Sequence, residues 1–364
     1  MTVSPARQAY LDWVRGVGVL IMIEAHVLDS WTSVSERARP LFGYSMVLGG
    51  FGAPLFLFLA GIAVVLSAES KHRRTGAFGL SWRAAENRGW QIFGLAFLFR
   101  IQSYVLSGFQ SAVSLLKVDI LNIMGPAMVL TAIGGRAAGR RVVRGVLFAG
   151  AALAMALLTP IIRTTPWLNW LPDPIEWYFR PIPGRTNFTL FPWAGFVFAG
   201  AAVGELIDAR RGAEAVGRSM PGFQAKLAAT GAALAFGGYF SSFLPSPYER
   251  SEFWTSSPAF FLVRVGLLIL TLPLGYLWEH APFRHKLSAW SPLAELGRAS
   301  LFVYWVHVEM VYGVFSRPIR RSLSLEGSLA AYVLFTAFLL VLVLLKNRLT
   351  EERAIYLTDS KSVI

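Results

Sequence analysis

Cysteine is absent from the 364 residues, which excludes disulfides, thiolate metal sites and a cysteine nucleophile. Charge is scarce. Charged residues make up 15% of the chain and apolar ones 55%, against about 25% and about 45–50% in a soluble domain. Strict alternation of apolar and polar residues is missing too, which excludes a membrane barrel. The apolar excess instead comes in runs of roughly 18–25 residues, enough for a helix to cross about 30 Å of hydrocarbon. Such runs must satisfy their own backbone groups, so they are expected to be helices. Acidic residues are outnumbered 21 to 34 by Lys and Arg. The basic residues fall in short loops between apolar runs, which is the pattern of membrane topology signals, so no nucleic-acid partner is expected. Paired histidines at metal-ligand spacing are absent, so no metal is expected. The first apolar stretch ends at Glu24-Ala25-His26 without a small-residue cleavage site and is expected to be retained.

The expected fold is a single all-α polytopic membrane domain over residues 1–364, a bundle of about ten transmembrane helices. The spans are expected near Leu11–Leu28, Tyr44–Ser67, Gly89–Ser107, Val113–Ile133, Val142–Ile161, Thr186–Ile207, Leu227–Leu244, Pro258–Trp278, Gly297–Ser316 and Gly327–Leu345. A short polar tail is expected from about residue 346. Lys71, Arg73, Arg74, Arg83 and Arg88 fall between the second and third spans, Arg136, Arg140, Arg141 and Arg144 between the fourth and fifth, and Arg210, Arg211, Arg218 and Lys226 after the sixth. Loops rich in Lys and Arg stay inside, which puts both termini in the cytoplasm of a bacterial inner membrane. Arg317, Arg320 and Arg321 dissent, since they fall on the expected outer face.

Ionisable groups within a span are costly and each needs a reason. The first span holds Asp12, Arg15, Glu24, His26 and Asp29. Arg15 and His26 are separated by about 1100° of helix, within ~20° of whole turns, so they share a face about 16 Å apart. Asp12 and Asp29 sit three residues from Arg15 and His26 respectively, within reach of each. The result is a polar stripe along one helix. Either it carries chemistry, or its two ends are an interfacial snorkel and an outer cap.

The residues LDWVRGVGVLIMIEAH resemble the first membrane helix of the transmembrane acyltransferase superfamily. The likeness is closest to bacterial proteins with the heparan-α-glucosaminide N-acetyltransferase catalytic domain. It continues in GGFGAPLFLFLAGIAVVLS, KVDILNIMGPAMVL, FTLFPWAGFVFAGAAVG and LGRASLFVYWVHVEM, in order along most of the chain. The resemblance implies acyl transfer from a cytoplasmic donor, acetyl-CoA or another acyl-CoA, to a sugar or glycan presented from the other side. The Arg and His spacing is also similar to type-3 membrane acyltransferases, which implies a catalytic role for His26 with Arg15 as its paired arginine. The animal lysosomal enzyme differs, with Asn at the position of His26 and its catalytic His further along, where this chain has Arg37 or its neighbours.

The physical reading of the same residues is compatible. Acyl transfer needs a base, and His titrates in the required range. Asp29 is expected to orient His26, and Arg15, Arg83 and Arg88 to hold donor phosphates. Asp119 and Asn122 share a face at i, i+3. Asp119 reads either as an orienting carboxylate or as the ion-pair partner of Lys117 or a neighbouring Arg. His307 reads either as an acceptor-side residue or as a helix–helix hydrogen bond. Trp193 in FTLFPW joins Asn122 and His307 on the acceptor side. His72, His280 and His285 look ordinary. Membrane lipid and a glycan are the expected partners, with oligomeric state open. The rival readings are a proton-coupled carrier, which the lack of an internal repeat disfavours, and a member of the fold that binds without catalysis.

Overall fold

The computed structural model describes residues 9–109, 111–214, 220–281 and 290–359. Arg218 and His285 lie outside them. In chain order the helices are α1 (Ala9–Trp31), α2 (Pro40–Gly49), α3 (Gly52–Thr75), α4 (Phe78–Leu106) and α5 (Ile120–Ala138). Then come α6 (Arg141–Thr164), α7 (Asp173–Glu176), α8 (Leu190–Glu214), α9 (Met220–Ser241) and α10 (Pro258–Glu279). The last three are α11 (Pro292–Arg298), α12 (Ser300–Tyr312) and α13 (Leu325–Asp359). Among the described residues there is no β-strand, only two isolated bridges, Thr32 with Leu323 and Val118 with Thr186. The protein is an all-α membrane protein.

Among the described residues six helices are long and apolar enough to cross a membrane: Pro40–Thr75, Ile120–Ala138, Arg141–Thr164, Leu190–Arg210, Pro258–Glu279 and Leu325–Thr350. The ten expected spans are all substantially helical, but the count of ten crossings is not reached by this measure. The first span, α1, carries too many charges to qualify, the third and seventh, α4 and α9, fall short in mean hydropathy, and α12 has 13 residues, about 20 Å of helix. The fourth span begins later than expected. Val113–Leu116 belong to a short 3₁₀ turn, and Val118 pairs through its backbone with Arg185 and Asn187. Asp119 then caps α5, and the Asn122 side chain accepts from the Asp119 amide in return. This reciprocal pair satisfies amide donors that a helix start leaves open. The residues after Lys346, expected as a polar tail, continue α13 to Asp359.

By its internal contacts the chain forms two compact units, Met1–Gly52 with Leu277–Ile364, and Ala53–Tyr276. In the first, α1 is the central helix and touches α2, α11, α12 and α13. The α1–α11 crossing is close because both helices present glycine: a Cβ on Gly16 would overlap the Leu293 carbonyl, and one on Gly297 would overlap the Asp12 carbonyl. Small residues at such crossings let membrane helices approach without side chains between them. Arg320, one of the charges that dissent from the topology rule, donates to the carbonyls of Tyr312 and Gly313 at the end of α12. A cation there satisfies open carbonyls and complements the helix dipole.

In the second unit α4 pairs with α5, α6 with α8, and α5 touches both α6 and α8. Buried ion pairs join three of its helices. Arg144 on α6 is 3% exposed and forks onto Glu205 of α8 at 2.6 and 2.9 Å. Its Nη2 also lies 2.9 Å from Glu69 of α3, an ion pair whose angle misses hydrogen-bond geometry. Asp208, on α8, accepts from Arg73 at 2.7 Å and Arg141 at 2.9 Å. Three arginines thus meet three carboxylates, and the cluster is neutral overall. The Arg144 guanidinium also lies over the Trp82 and Phe78 rings, 5.2 and 5.6 Å from their centroids.

Candidate functional site

In the first unit, two histidines separated by 281 positions meet. His26 Nδ1 lies 2.8 Å from His307 Nε2. The ring planes are 7° apart with centroids 5.1 Å apart. Face-to-face rings at that separation could not bring two nitrogens to 2.8 Å, so the rings are nearly coplanar and joined edge to edge. His307 is fully buried, and its Nδ1 is 2.9 Å from the Val303 carbonyl. A carbonyl only accepts, so Nδ1 of His307 carries the proton. In a neutral ring Nε2 is then an acceptor, which makes His26 Nδ1 the donor in the bond between them. In that tautomer Nε2 of His26 is the unprotonated nitrogen.

This geometry replaces the expected His26–Asp29 pair. The exposed Asp29 accepts from the Tyr312 hydroxyl at 3.1 Å, and its Oδ1 lies 3.7 Å from Arg37. Tyr312 in turn packs edge-on to His26, with centroids 5.4 Å apart. Asp29 therefore acts on His26 through Tyr312 at most. The spacing of α1 allowed Asp29 to reach His26, but partners from other segments took its carboxylate. Asp12 and Arg15 meet as the spacing predicts, at 3.3 Å. Glu24 faces another way, bonding Ser45 of α2.

The dyad is anchored from above. Ser30 and Trp31, the turn of α1 after His26, donate to the Val311 carbonyl of α12 at 2.8 and 3.3 Å. Thr32 bonds Ser328 of α13 at 2.9 Å. These bonds fix α12 against α1 one turn from the histidines.

The second unit holds the other expected residues. Asp119 caps α5 and pairs with Arg100 at 2.9 Å, the neighbouring-arginine alternative. Asn122 is buried and donates to the Tyr178 hydroxyl at 3.4 Å, while burial pushes the Tyr178 phenol above its usual value. Trp193 is half-buried beside Phe188, ring centroids 4.7 Å apart. Arg83 is exposed and lines an open cleft of about 350 Å³ with Lys71, Thr75, Leu80 and Asn87. Arg88 is exposed, bonds Gln91 at 3.2 Å and is not part of that lining. Lys71 and Arg83 fit phosphate groups in charge and donor count.

A family profile, heparan-alpha-glucosaminide N-acetyltransferase, catalytic, matches residues 7–238. That is more than half of the chain. The protein belongs to the heparan-alpha-glucosaminide N-acetyltransferase catalytic family. No curated protein matches it. Membership supports an acetyltransferase-like function in a multi-pass membrane protein. The matched segment includes His26, Arg15 and the Lys71–Arg83 cleft, and it ends before α12. His307 therefore enters the site from a part of the chain that the family match does not cover.

Within the matched segment, sequence reasoning missed the acids that hold the basic residues. Arg73, Arg141 and Arg144 were expected as topology charges, yet Glu69, Glu205 and Asp208 pair with them. Three carboxylates at the ends of apolar runs were the available signal, since lone acids there are costly. Among the described residues no cluster of three or more His, Asp or Glu could hold a metal.

Proposed function

We propose that the protein transfers an acyl group, acetyl by family, from acyl-CoA to a hydroxyl or amine of a cell-envelope sugar or glycan. His26 is the base. The observation that supports this is the proton order of the dyad: along the chain from the Val303 carbonyl through His307 to His26, the protons sit on the two Nδ1 atoms, so Nε2 of His26 is unprotonated and basic. That atom takes the acceptor's proton as its oxygen or nitrogen attacks the thioester carbonyl. The thiolate of CoA leaves as the C–S bond breaks and receives the proton back from the imidazolium. His307 is a positioning residue that fixes the tautomer, the task a carboxylate performs in a catalytic triad. In this reading Lys71 and Arg83 hold the donor's phosphates on the cytoplasmic face of a bacterial inner membrane, and both termini lie in the cytoplasm.

The test uses the full chain in detergent with labelled acetyl-CoA and a glucosaminide acceptor, reading CoA release and label transfer together. General-base catalysis contributes about 10²–10⁴-fold, so His26→Ala should lose at least a hundredfold in transfer. Transfer at the wild-type rate in that variant would remove His26 from catalysis. Label that never reaches the acceptor in wild type would favour the carrier or binding alternatives.

A further inference from the structure

An arginine inside a membrane span normally finds a carboxylate or a carbonyl, because leaving it unpaired there is costly. Arg264, six residues after the start of α10, departs from this. Among the described residues it makes no hydrogen bond and no ion pair, and its Nε is buried without a partner. Its guanidinium carbon instead lies 4.1 Å from the centroid of the Phe260 ring and 5.8 Å from that of Trp193. Phe260 is one turn nearer the start of α10, so the side chain is directed towards that end of the span.

A second arginine serves the same place. Arg163 ends α6, and its Nη2 is 3.4 Å from the carbonyl of Phe191, two residues before Trp193. Its Nε is also buried without a partner. The carbonyl already accepts from the Thr189 hydroxyl at 2.7 Å, so Arg163 is weakly satisfied. Glu252 acts electrostatically on Arg163; it is exposed and accepts from the Thr255 hydroxyl at 3.0 Å. Arg163 through the Phe191 carbonyl and Arg264 through the Trp193 ring thus both neighbour the first residues of α8.

We propose that Arg264 and Arg163, walled by Trp193 and Phe260, form a binding site for a phosphoryl group. A guanidinium laid on an aromatic face keeps its N–H edge open, and that edge matches the oxygens of phosphate in a fork. Positive charge is in excess, so an anion completes the site. Depth identifies the anion. Pro258–Glu279 spans 22 residues, about 33 Å, and Arg264 lies about 9 Å from its first residue with its head turned outward. That brings the guanidinium to the boundary of the hydrocarbon, where lipid phosphates lie. The same chemistry is found in a phospholipid head group, a lipid-linked sugar phosphate or a soluble phosphate ester. The site does not depend on the acyl-transfer reading and lies apart from the dyad in sequence and in compact unit.

The test measures binding to the full chain in a neutral detergent by calorimetry. The probes are a short-chain phosphatidic acid, inorganic phosphate and the matching neutral diacylglycerol. One saturable site for the phosphatidic acid is expected, with none for the diacylglycerol. Arg264→Gln and Arg163→Gln should each weaken it about tenfold or more, as loss of a charge-assisted bond requires. Arg264→Lys should fall between, because it keeps the charge without the fork. Arg317→Gln, an exposed change in the other unit, should bind as wild type. Inorganic phosphate competing at comparable affinity assigns the site to a soluble phosphate; failure to compete while the lipid binds assigns it to a head group. No saturable binding of either phosphoryl probe to wild type, or wild-type binding by Arg264→Gln, overturns the proposal and leaves Arg264 as a snorkelling side chain.

Discussion

Replacing Arg144 by alanine tests the most heavily committed side chain of the second unit. The change removes two hydrogen bonds to Glu205 at 2.6 and 2.9 Å, the 2.9 Å ion pair to Glu69, and a 2.7 Å bond to the Gly139 carbonyl. It leaves two carboxylates that are 2% and 7% exposed without their main counter-charge. Arg141, 3.9 Å from Glu205, can compensate only in part. Breaking a buried pair by removing one partner costs about 3–5 kcal/mol, most of it from the charge left behind. At about 2–4 °C per kcal/mol for a unit of 150–250 residues, the apparent melting temperature should fall by roughly 6–20 °C. Thermal unfolding in one detergent, followed by circular dichroism, reads the change, with exposed Arg74→Ala as the reference. The double variant Arg144→Ala with Glu205→Gln should recover part of the loss, since it removes one stranded charge and neighbours in a network do not add. If Arg144→Ala melts with Arg74→Ala, the buried cluster does not hold α3, α6 and α8 together and the reasoning fails.

Three further outcomes follow from the sites. His307→Ala should lower acyl transfer by roughly ten- to a hundredfold, the usual cost of losing an orienting partner, and by less than His26→Ala; a larger loss than that of His26→Ala would exchange their roles. Arg83→Ala should raise the KM or Kd for acetyl-CoA, because a charge-assisted phosphate contact is lost; unchanged donor affinity would detach the cleft from the donor. The Arg39 side chain and the Leu325 amide hold Glu36 below its usual 4.5. A carboxylate with a lowered folded value stabilises above its unfolded value and loses that contribution as pH falls through the folded one. Glu36→Gln should therefore flatten the melting curve against pH only below about pH 4.5, and a change confined to neutral pH would contradict the assignment.

Apolar run length was enough to locate most helices, since the bilayer sets it directly. Boundaries were harder where apolar residues run on past a helix. Val113–Leu116 look like the start of a span, yet α5 begins at Ile120 because Asp119 and Asn122 cap each other there; the D-x-x-N spacing in VDILN was a readable start signal. The Asp12–Arg15 pair was legible because one helix sets the distance between residues three apart. The same rule failed for Asp29, where Tyr312 and Arg37 compete from elsewhere. The partner of His26 was not legible at all. Nothing local in YWVHVEM marks His307 for a residue 281 positions away, and only the cost of an intramembrane histidine signalled that it needed one.

The dyad explains why the site needs the end of the chain as well as its beginning. A histidine alone on α1 can hold its proton on either nitrogen, and as a base it would then be correctly arranged only part of the time. His307 removes that freedom because its own tautomer is not free: Nδ1 lies against a helix carbonyl that cannot donate. The direction of both protons is thus set by backbone, four residues back along α12. For that to act on His26, α12 must stay in register with α1. The register is held on one side by Ser30 and Trp31 on the Val311 carbonyl, and on the other by the glycine crossing of α1 with α11. A change at Gly297 or of the Ser30 hydroxyl, neither of which hydrogen-bonds an imidazole, should therefore disturb the orientation of Nε2. Under the proposed mechanism the base is pre-organised by helix placement, which is how a site of neutral groups avoids a buried counter-charge.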